Sequence, residues 1–424
     1  MSNVLLVSLE FPPSSVASVH RARHLAKYLP SYGWKPVVLM VEERLQKAAL
    51  DYPLAALLPQ DLEIVRIGAL PLERMRWLGI SDISLRSYFH LRRGLARLLA
   101  EQHFDVVFMT GPPYYQMTLT GWIKRRFQLP VVLDFQDPWV SHVGGLAHGW
   151  SKAGVTHRLA CLLEPAAVRD AAFITSVSDR QNEELIARYP WLDRSRMAGI
   201  PIGGDPDDFR QLAAQGTPQG GQHVTLSFIG TVTPRALPVH EVVLEALRQL
   251  RVEQPEVAAR LRLRFVGTSN QPDGKVDSIR DLALGLGLGN AVQEEPARVP
   301  FLEALRLMAN SDGLLLVGSD EPHYTASKIY PALMSGRPFL SVFHGLSSAH
   351  ALLAQAGGGI ALSFTDPLSL GALTAPIKKA FVQLATDRAG LRPVDVAAYA
   401  PFTASAVSER YAEIFEQLKA ENRG

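Results

Sequence analysis

The sequence predicts an α/β protein made of two doubly wound, Rossmann-like halves that face each other across a cleft. Three observations predict it. Short continuous apolar runs alternate with amphipathic segments along the chain, as buried parallel strands alternate with covering helices. The alternation stops near Ile202-Gly203-Gly204-Asp205-Pro206 and at a Gly/Gln/Pro-rich stretch, Gln215 to Gln222, and then restarts. Finally, 424 residues are too many for one ordinary hydrophobic core.

In the first half the strand candidates are Val4 to Val7, Val37 to Val41, Val106 to Met109, Val131 to Leu133 and Phe173 to Val177. In the second they are Val224 to Gly230, Leu263 to Val266, Gly313 to Val317 and Phe339 to Val342. The domains are expected over residues 1–205 and 222–395. A last helix at about 404–420 is predicted by the spacing of Val407, Tyr411, Ile414, Phe415 and Leu418. Ligands of open α/β sheets bind beyond the carboxyl ends of the strands, so the loops there are the places to look for function.

Composition narrows the class. Apolar residues are 47% and charged residues 20%, an ordinary globular balance, and a net charge of +2 gives no sign of a nucleic-acid partner. The single cysteine, Cys161, excludes an intrachain disulfide and fits a reducing compartment. No apolar run is long enough to span a bilayer, and the start of the chain lacks the pattern of an export signal. A cytoplasmic protein is expected.

The first strand runs into a small-residue loop, Phe11 to Ser18, and then a helix carrying His20, Arg21 and Arg23. Helix amino-terminal amides with a nearby guanidinium suit an anion, which makes Ser15 and Arg21 acceptor-side or phosphate-binding candidates. A surface turn with solvated arginines is the plainer alternative. Asp134 and Asp137 follow the strand Val131 to Leu133 directly, where two carboxylates suit a base or a grip on hydroxyls. Asp137-Pro138 could equally cap a following helix.

Seven pieces, in order, resemble bacterial glycosyltransferases of family four. They are the opening strand, Phe-Pro-Pro turn and arginine-bearing helix; Asp134 to Trp139; Ile174 to Ser178; Ile200 to Phe209; Phe228 to Thr231; Phe265 to Gly267; and Ser327 to Pro338. The resemblance covers most of the chain. It implies the two-domain glycosyltransferase type B fold, with the last helix crossing back to the first domain. It also implies a nucleotide-diphosphate sugar as donor, no cofactor and no metal, and transfer with retention. A glycan, lipid-linked or small-molecule acceptor in surface polysaccharide or glycoconjugate biosynthesis would fit.

On that resemblance Lys328 is the first candidate for holding the departing diphosphate, at the start of a helix whose dipole adds positive field. Arg235 is the second, with Gly230, Thr231 and Ser327 beside them. His323 and Tyr324 precede the donor block and are candidates for contact with the transferred sugar, His323 among the catalytic residues with Asp134 and Asp137. Two departures stand out. Ser14-Ser15-Val16-Ala17-Ser18 replaces the family's paired glycines, and His323 and Pro331 stand where the family keeps two glutamates. A ribose grip must then come from another group or be absent.

Other signals carry less. Asp205-Pro206-Asp207-Asp208 has metal-site spacing but reads as a helix cap, and Gly285 to Gly289 follows a helical pattern rather than a strand. The twelve histidines show no metal-ligand spacing. Residues 66–100 hold seven arginines (66, 74, 76, 86, 92, 93 and 97) against Glu73 and Asp82, interleaved with aromatic and aliphatic side chains. With residues 122–127 they form a candidate for peripheral contact with an anionic membrane, a solvated helix face or dimer face being the alternatives. Two other classes remain: a nucleotide-sugar-binding or epimerising relative, and a nicotinamide-dependent dehydrogenase, whose glycine fingerprint is absent after the first strand.

Overall fold

The computed structural model describes the chain except residues 78, 141–144, 146–147, 150, 211, 213–222, 270–277, 322–326 and 424. The stretch Gln215 to Gln222 and the candidates His323 and Tyr324 therefore lie outside the described residues. Two compact units are present: Met1–Ile202 with Ala404–Gly424, and Gly203–Thr403. The first boundary falls after Ile202 rather than after Asp205. The tail up to Thr403 goes with the second unit.

The first unit is built on seven parallel strands in the order β3-β2-β1-β4-β5-β6-β7. They are β1 (Ser2–Val7), β2 (Trp34–Val41), β3 (Glu63–Ile67), β4 (Val106–Gly111), β5 (Val131–Phe135), β6 (Phe173–Ser176) and β7 (Met197–Gly199). Leu5 pairs with Val37 on one side of β1, while Val4 pairs with Val106 on the other. Winding thus reverses between β1 and β4, and the loops following them lie side by side at the carboxyl edge. Both faces of the sheet are covered, so Val4 to Val7, Val37 to Val41, Val106 to Met109 and Val131 to Leu133 are continuous apolar runs rather than alternating ones.

The last helix, Ala404–Arg423, belongs to this unit although its sequence lies beyond the second. Its stripe Val407, Tyr411, Phe415 and Leu418 is buried with Val4, Leu6 and Phe108. Tyr411 meets Phe108 edge-on at 5.3 Å, and Phe415 meets Trp34 at 5.5 Å.

The second unit has six parallel strands in the order β10-β9-β8-β11-β12-β13. They are β8 (Val224–Ile229), β9 (Leu261–Val266), β10 (Val292–Glu295), β11 (Gly313–Val317), β12 (Phe339–His344) and β13 (Gly359–Phe364). The winding reverses between β8 and β11, again placing the loop after the first strand at the switch point. Asp205 accepts a hydrogen bond from the Asp207 amide at 3.0 Å and so caps the short helix Pro206–Arg210. Gly287, at φ +70°, turns the chain after the helix Ser278–Gly285, which accounts for the glycines there without a nucleotide.

Candidate active site

At the carboxyl end of β5, Asp134 has no accessible surface. Its Oδ2 accepts hydrogen bonds from Arg21 Nε at 3.3 Å and Thr110 Oγ1 at 2.8 Å. Its Oδ1 accepts from Thr175 Oγ1 at 2.9 Å and the Tyr411 hydroxyl at 2.8 Å. A base needs a face open to the group it deprotonates, and Asp134 shows none.

Arg21 is equally inaccessible. Besides Asp134 it donates to the Pro201 carbonyl at 2.7 Å and to the Ile200 carbonyl, and it lies 5.2 Å from the Tyr411 ring centroid. The arginine that the sequence offers to a phosphate instead ties the first helix (Val19–Tyr28) to β5, to the chain beyond β7 and to the last helix. Ser15 is half-buried, and its amide donates to the Ala49 carbonyl at 3.0 Å. The loop after β1 is thereby held to the segment after β2.

Asp137 is exposed. Partial loss of hydration raises its carboxyl above the usual carboxylate range. The backbone around it is well fixed. The Tyr114 hydroxyl donates to the Asp137 carbonyl at 2.5 Å, and the Tyr114 ring stacks on Trp139 at 5.6 Å. The buried Glu164 accepts from the Val140 amide at 3.3 Å and from Arg188 Nε at 3.1 Å. Of the two aspartates, the one with solvent access is Asp137.

Sequence reasoning missed Glu10, in the loop directly beyond β1. It is half-buried, and among the described residues its carboxylate makes no hydrogen bond or ion pair. Burial, and then the charge of Asp82, push it up to about 7, while Arg86 pulls the other way. No motif marks it; its place at the switch point was the available signal.

In the second unit Lys328 is the N-cap of the helix Ile329–Met334. That helix is six residues long, so its dipole is small and the lysine's own charge has to carry any contact with an anion. Lys328 Nζ lies 3.2 Å from where a Cβ on Gly230 would sit, a closeness that glycine at the end of β8 permits. Among the described residues no carboxylate pairs with Lys328. The residue as a whole is exposed, while its ammonium end is drawn over the Gly230 backbone. Loss of hydration, and then the charge of Arg298, push it down to about 8.

Arg298, just beyond β10, is exposed and was not anticipated, since it belongs to no motif. Two cations so disposed, with no carboxylate paired to either among the described residues, favour an anion. Arg235 is placed differently from its expected task. It donates to Asp320 Oδ1 and to Glu321 Oε1, each at 2.7 Å, so its charge is already answered. Thr231, next to Gly230, is half-buried, and Ser327, next to Lys328, is exposed. Among the described residues no group of three or more His, Cys, Asp or Glu side chains could hold a metal ion, and no helix is long and apolar enough to cross a membrane.

Residues 17–203 match the model of the glycosyl transferase 4-like domain. No curated protein sequence matches the chain significantly. Among solved structures, the chain is similar to HepE of Anabaena, solved in complex with UDP-glucose, at 14% identity and a TM-score of 0.60 over 98% of this chain and 100% of that one. It is similar to a glycosyltransferase from Rickettsia africae at 16% identity and a TM-score of 0.62, covering 98% of each chain. It is also similar to WaaG, a glycosyltransferase involved in lipopolysaccharide biosynthesis, at 15% identity and a TM-score of 0.57 over 97% of this chain and 99% of that one. At these identities the likeness is one of fold, and this protein has the glycosyltransferase type B fold, two Rossmann-like units completed by a last helix that returns to the first.

Proposed function

We propose that this protein is a glycosyltransferase that moves a sugar from a nucleotide-diphosphate donor to a glycan or lipid-linked acceptor, with retention, in the making of a surface polysaccharide or glycoconjugate. The observation that carries the reading is Lys328. Its ammonium lies over the Gly230 backbone at the end of the second unit's first strand, and among the described residues neither it nor Arg298 has a carboxylate partner. In glycosyl transfer the bond from the anomeric carbon to the diphosphate breaks, and both electrons leave with the diphosphate. Fixed positive charge at that position stabilises the leaving group as its charge develops. On the acceptor side Asp137 is the carboxylate with access, suited to holding acceptor hydroxyls. His323 and Tyr324 remain candidates for the transferred sugar. The UDP-glucose bound by HepE makes uridine diphosphate sugars the first donors to try. The lone cysteine and the donor class suit the cytoplasm.

The test is a thermal-shift panel of nucleoside diphosphates, followed by nucleotide-sugar turnover with and without glycan acceptors. Raised melting with one base, and diphosphate release that an acceptor accelerates, are expected. No response to any base would end the reading. A second reading, a binding or epimerising relative, is favoured by His323 and Pro331 at the positions of the family's glutamates. That protein would change or hold the donor without any acceptor-dependent release.

A further inference from the structure

The helix Leu72–Trp77 contributes no side chain to the core. Its Trp77 is 88% exposed, and Arg74 and Arg76 are exposed beside it. The next helix, Ile83–Glu101, buries Ile83, Leu91, Leu95 and Leu98, which turns Phe89, His90, Arg92, Arg93 and Arg97 outward. Phe89 is 76% exposed. Arg92 stacks on the Trp122 ring at 5.4 Å and so joins this surface to the helix Thr120–Phe127, where Lys124, Arg125 and Arg126 are exposed.

The charges sort into two groups. Arg86 is buried and donates to the Leu70 and Leu45 carbonyls at 2.8 Å each, so it belongs to the interior. Arg66, Arg97 and Arg125 face Glu43, Glu101 and Asp170. Arg74, Arg76 and Arg93 have no carboxylate partner among the described residues, and Arg92 and Arg126 are engaged only with rings. Large aromatic side chains left in water among unbalanced arginines are what a bilayer interface accommodates. The rings enter the headgroup region and the guanidinium groups meet lipid phosphates.

We propose that the exposed side chains of these two helices, Trp77, Phe89, Arg74, Arg76 and Arg93, dock the protein on an anionic lipid bilayer. A second copy of the chain is a poorer occupant, because a symmetric contact would bring the same unbalanced arginines together. The proposal is independent of the donor site, since docking needs no nucleotide sugar.

The test uses the full chain with vesicles of phosphatidylcholine, alone or mixed with phosphatidylglycerol. Sedimentation with the mixed vesicles only, weakening as salt is raised, is expected. Removing each unpaired arginine should lower partitioning roughly fivefold, so the combined Arg74→Ala, Arg76→Ala, Arg93→Ala variant should lose roughly a hundredfold. All these side chains are exposed, and an unchanged melting temperature serves as the folding control. Quenching of the wild-type protein's fluorescence by brominated lipid should shrink in Trp77→Phe, a readout that does not depend on the arginine variant. Three results would overturn the proposal: no sedimentation with phosphatidylglycerol, equal partitioning of the triple variant, or a dimer in sedimentation velocity that Trp77→Ser abolishes.

Discussion

The Tyr411 hydroxyl donates to Asp134 Oδ1 at 2.8 Å, across 277 positions of sequence. Neither residue has accessible surface, and the same carboxylate takes Arg21 on its other oxygen at 3.3 Å. The last helix is thus bonded to the end of a central strand of the first unit. Through Arg21, the first helix and the Ile200 and Pro201 carbonyls join the same knot.

This geometry predicts that Tyr411→Phe lowers the stability of the first unit by about 1.5–3 kcal/mol, the usual range for a hydrogen bond to a charged group. Asp134→Ala should cost more, about 3–5 kcal/mol, because it leaves the Arg21 guanidinium buried without its counter-charge. Urea denaturation measures both. An Asp134→Asn protein of unchanged stability that has lost turnover would instead make Asp134 a reacting group.

Lys328→Ala should weaken nucleoside diphosphate binding about tenfold or more, since a charge-assisted contact contributes roughly 1.5–3 kcal/mol. Arg235→Ala should cost far less, because Asp320 and Glu321 already occupy that guanidinium. A pH dependence follows as well. With its group pushed down to about 8, Lys328 carries its charge below that value and loses it above. Affinity should therefore fall as pH rises through about 8 in the wild type and stay flat in Lys328→Ala. Calorimetry across that range decides it, and equal pH profiles would remove Lys328 from the site.

The strands that could be read from the sequence and those that could not divide along a physical line. Interior strands such as Val37 to Val41 and Gly313 to Val317 lie within the sheets and read as unbroken apolar runs. The four strands that the sequence hid, β3, β7, β10 and β13, stand at the edges of the two sheets. Edge strands meet solvent, so Glu63-Ile64-Val65-Arg66-Ile67 and Val292-Gln293-Glu294-Glu295 mix charged with apolar residues and show no continuous apolar run.

The site was legible in the same uneven way. A strand-end position marks Asp134 and Asp137 alike, and only tertiary partners from residues 21, 110, 175 and 411 separate the buried aspartate from the exposed one. Lys328 stood out because it lies in a recognisable block. Glu10 and Arg298 lie in none.

Glu10 makes the first unit's stability depend on pH in an unusual direction. Its folded value of about 7 lies above the ordinary 4.5, so between these values the folded form holds the proton more tightly than the unfolded chain does. Stability from this group is fully present below about 4.5 and is lost as pH rises through about 7. Glu10→Gln should be near neutral at about pH 5 and stabilising by about 1–3 kcal/mol at about pH 8. Melting curves at the two pH values check this. An equal effect at both would mean that the carboxyl is not held in its neutral form.

Pro331 sits in the first turn of the helix Ile329–Met334 and offers neither a carboxylate nor an amide hydrogen. It cannot take up ribose hydroxyls. Ribo- and 2′-deoxyribonucleoside diphosphates should then bind within about threefold of each other, whereas loss of a hydroxyl contact to a charged partner would cost roughly tenfold or more. Titration of the pair decides between them. A deoxy form more than about tenfold weaker would show that another residue grips the ribose.

His240 should make the second unit less stable in acid. It lies in the first turn of the helix Leu237–Glu253 with no accessible surface, edge-on to Phe228 at 4.8 Å and to Phe265 at 5.6 Å. Among the described residues neither ring nitrogen has a hydrogen-bond partner. Burial pushes the imidazole down to about 3, so the folded form keeps it neutral. The unfolded chain takes up the proton near 6.5, and between 6.5 and about 3 it binds more protons than the folded form. Stability from this group is therefore present above about 6.5 and declines as pH falls toward 3. His240→Leu removes both the titrating group and two unpaired polar atoms. It should be neutral or stabilising by about 1 kcal/mol at neutral pH and should flatten the decline of the second unit's melting temperature in acid. His20 and His24, also held well below 6.5, would keep their own acid dependence in the first unit. If His240→Leu instead loses about 2 kcal/mol or more at neutral pH, the imidazole has a polar partner that the leucine cannot replace.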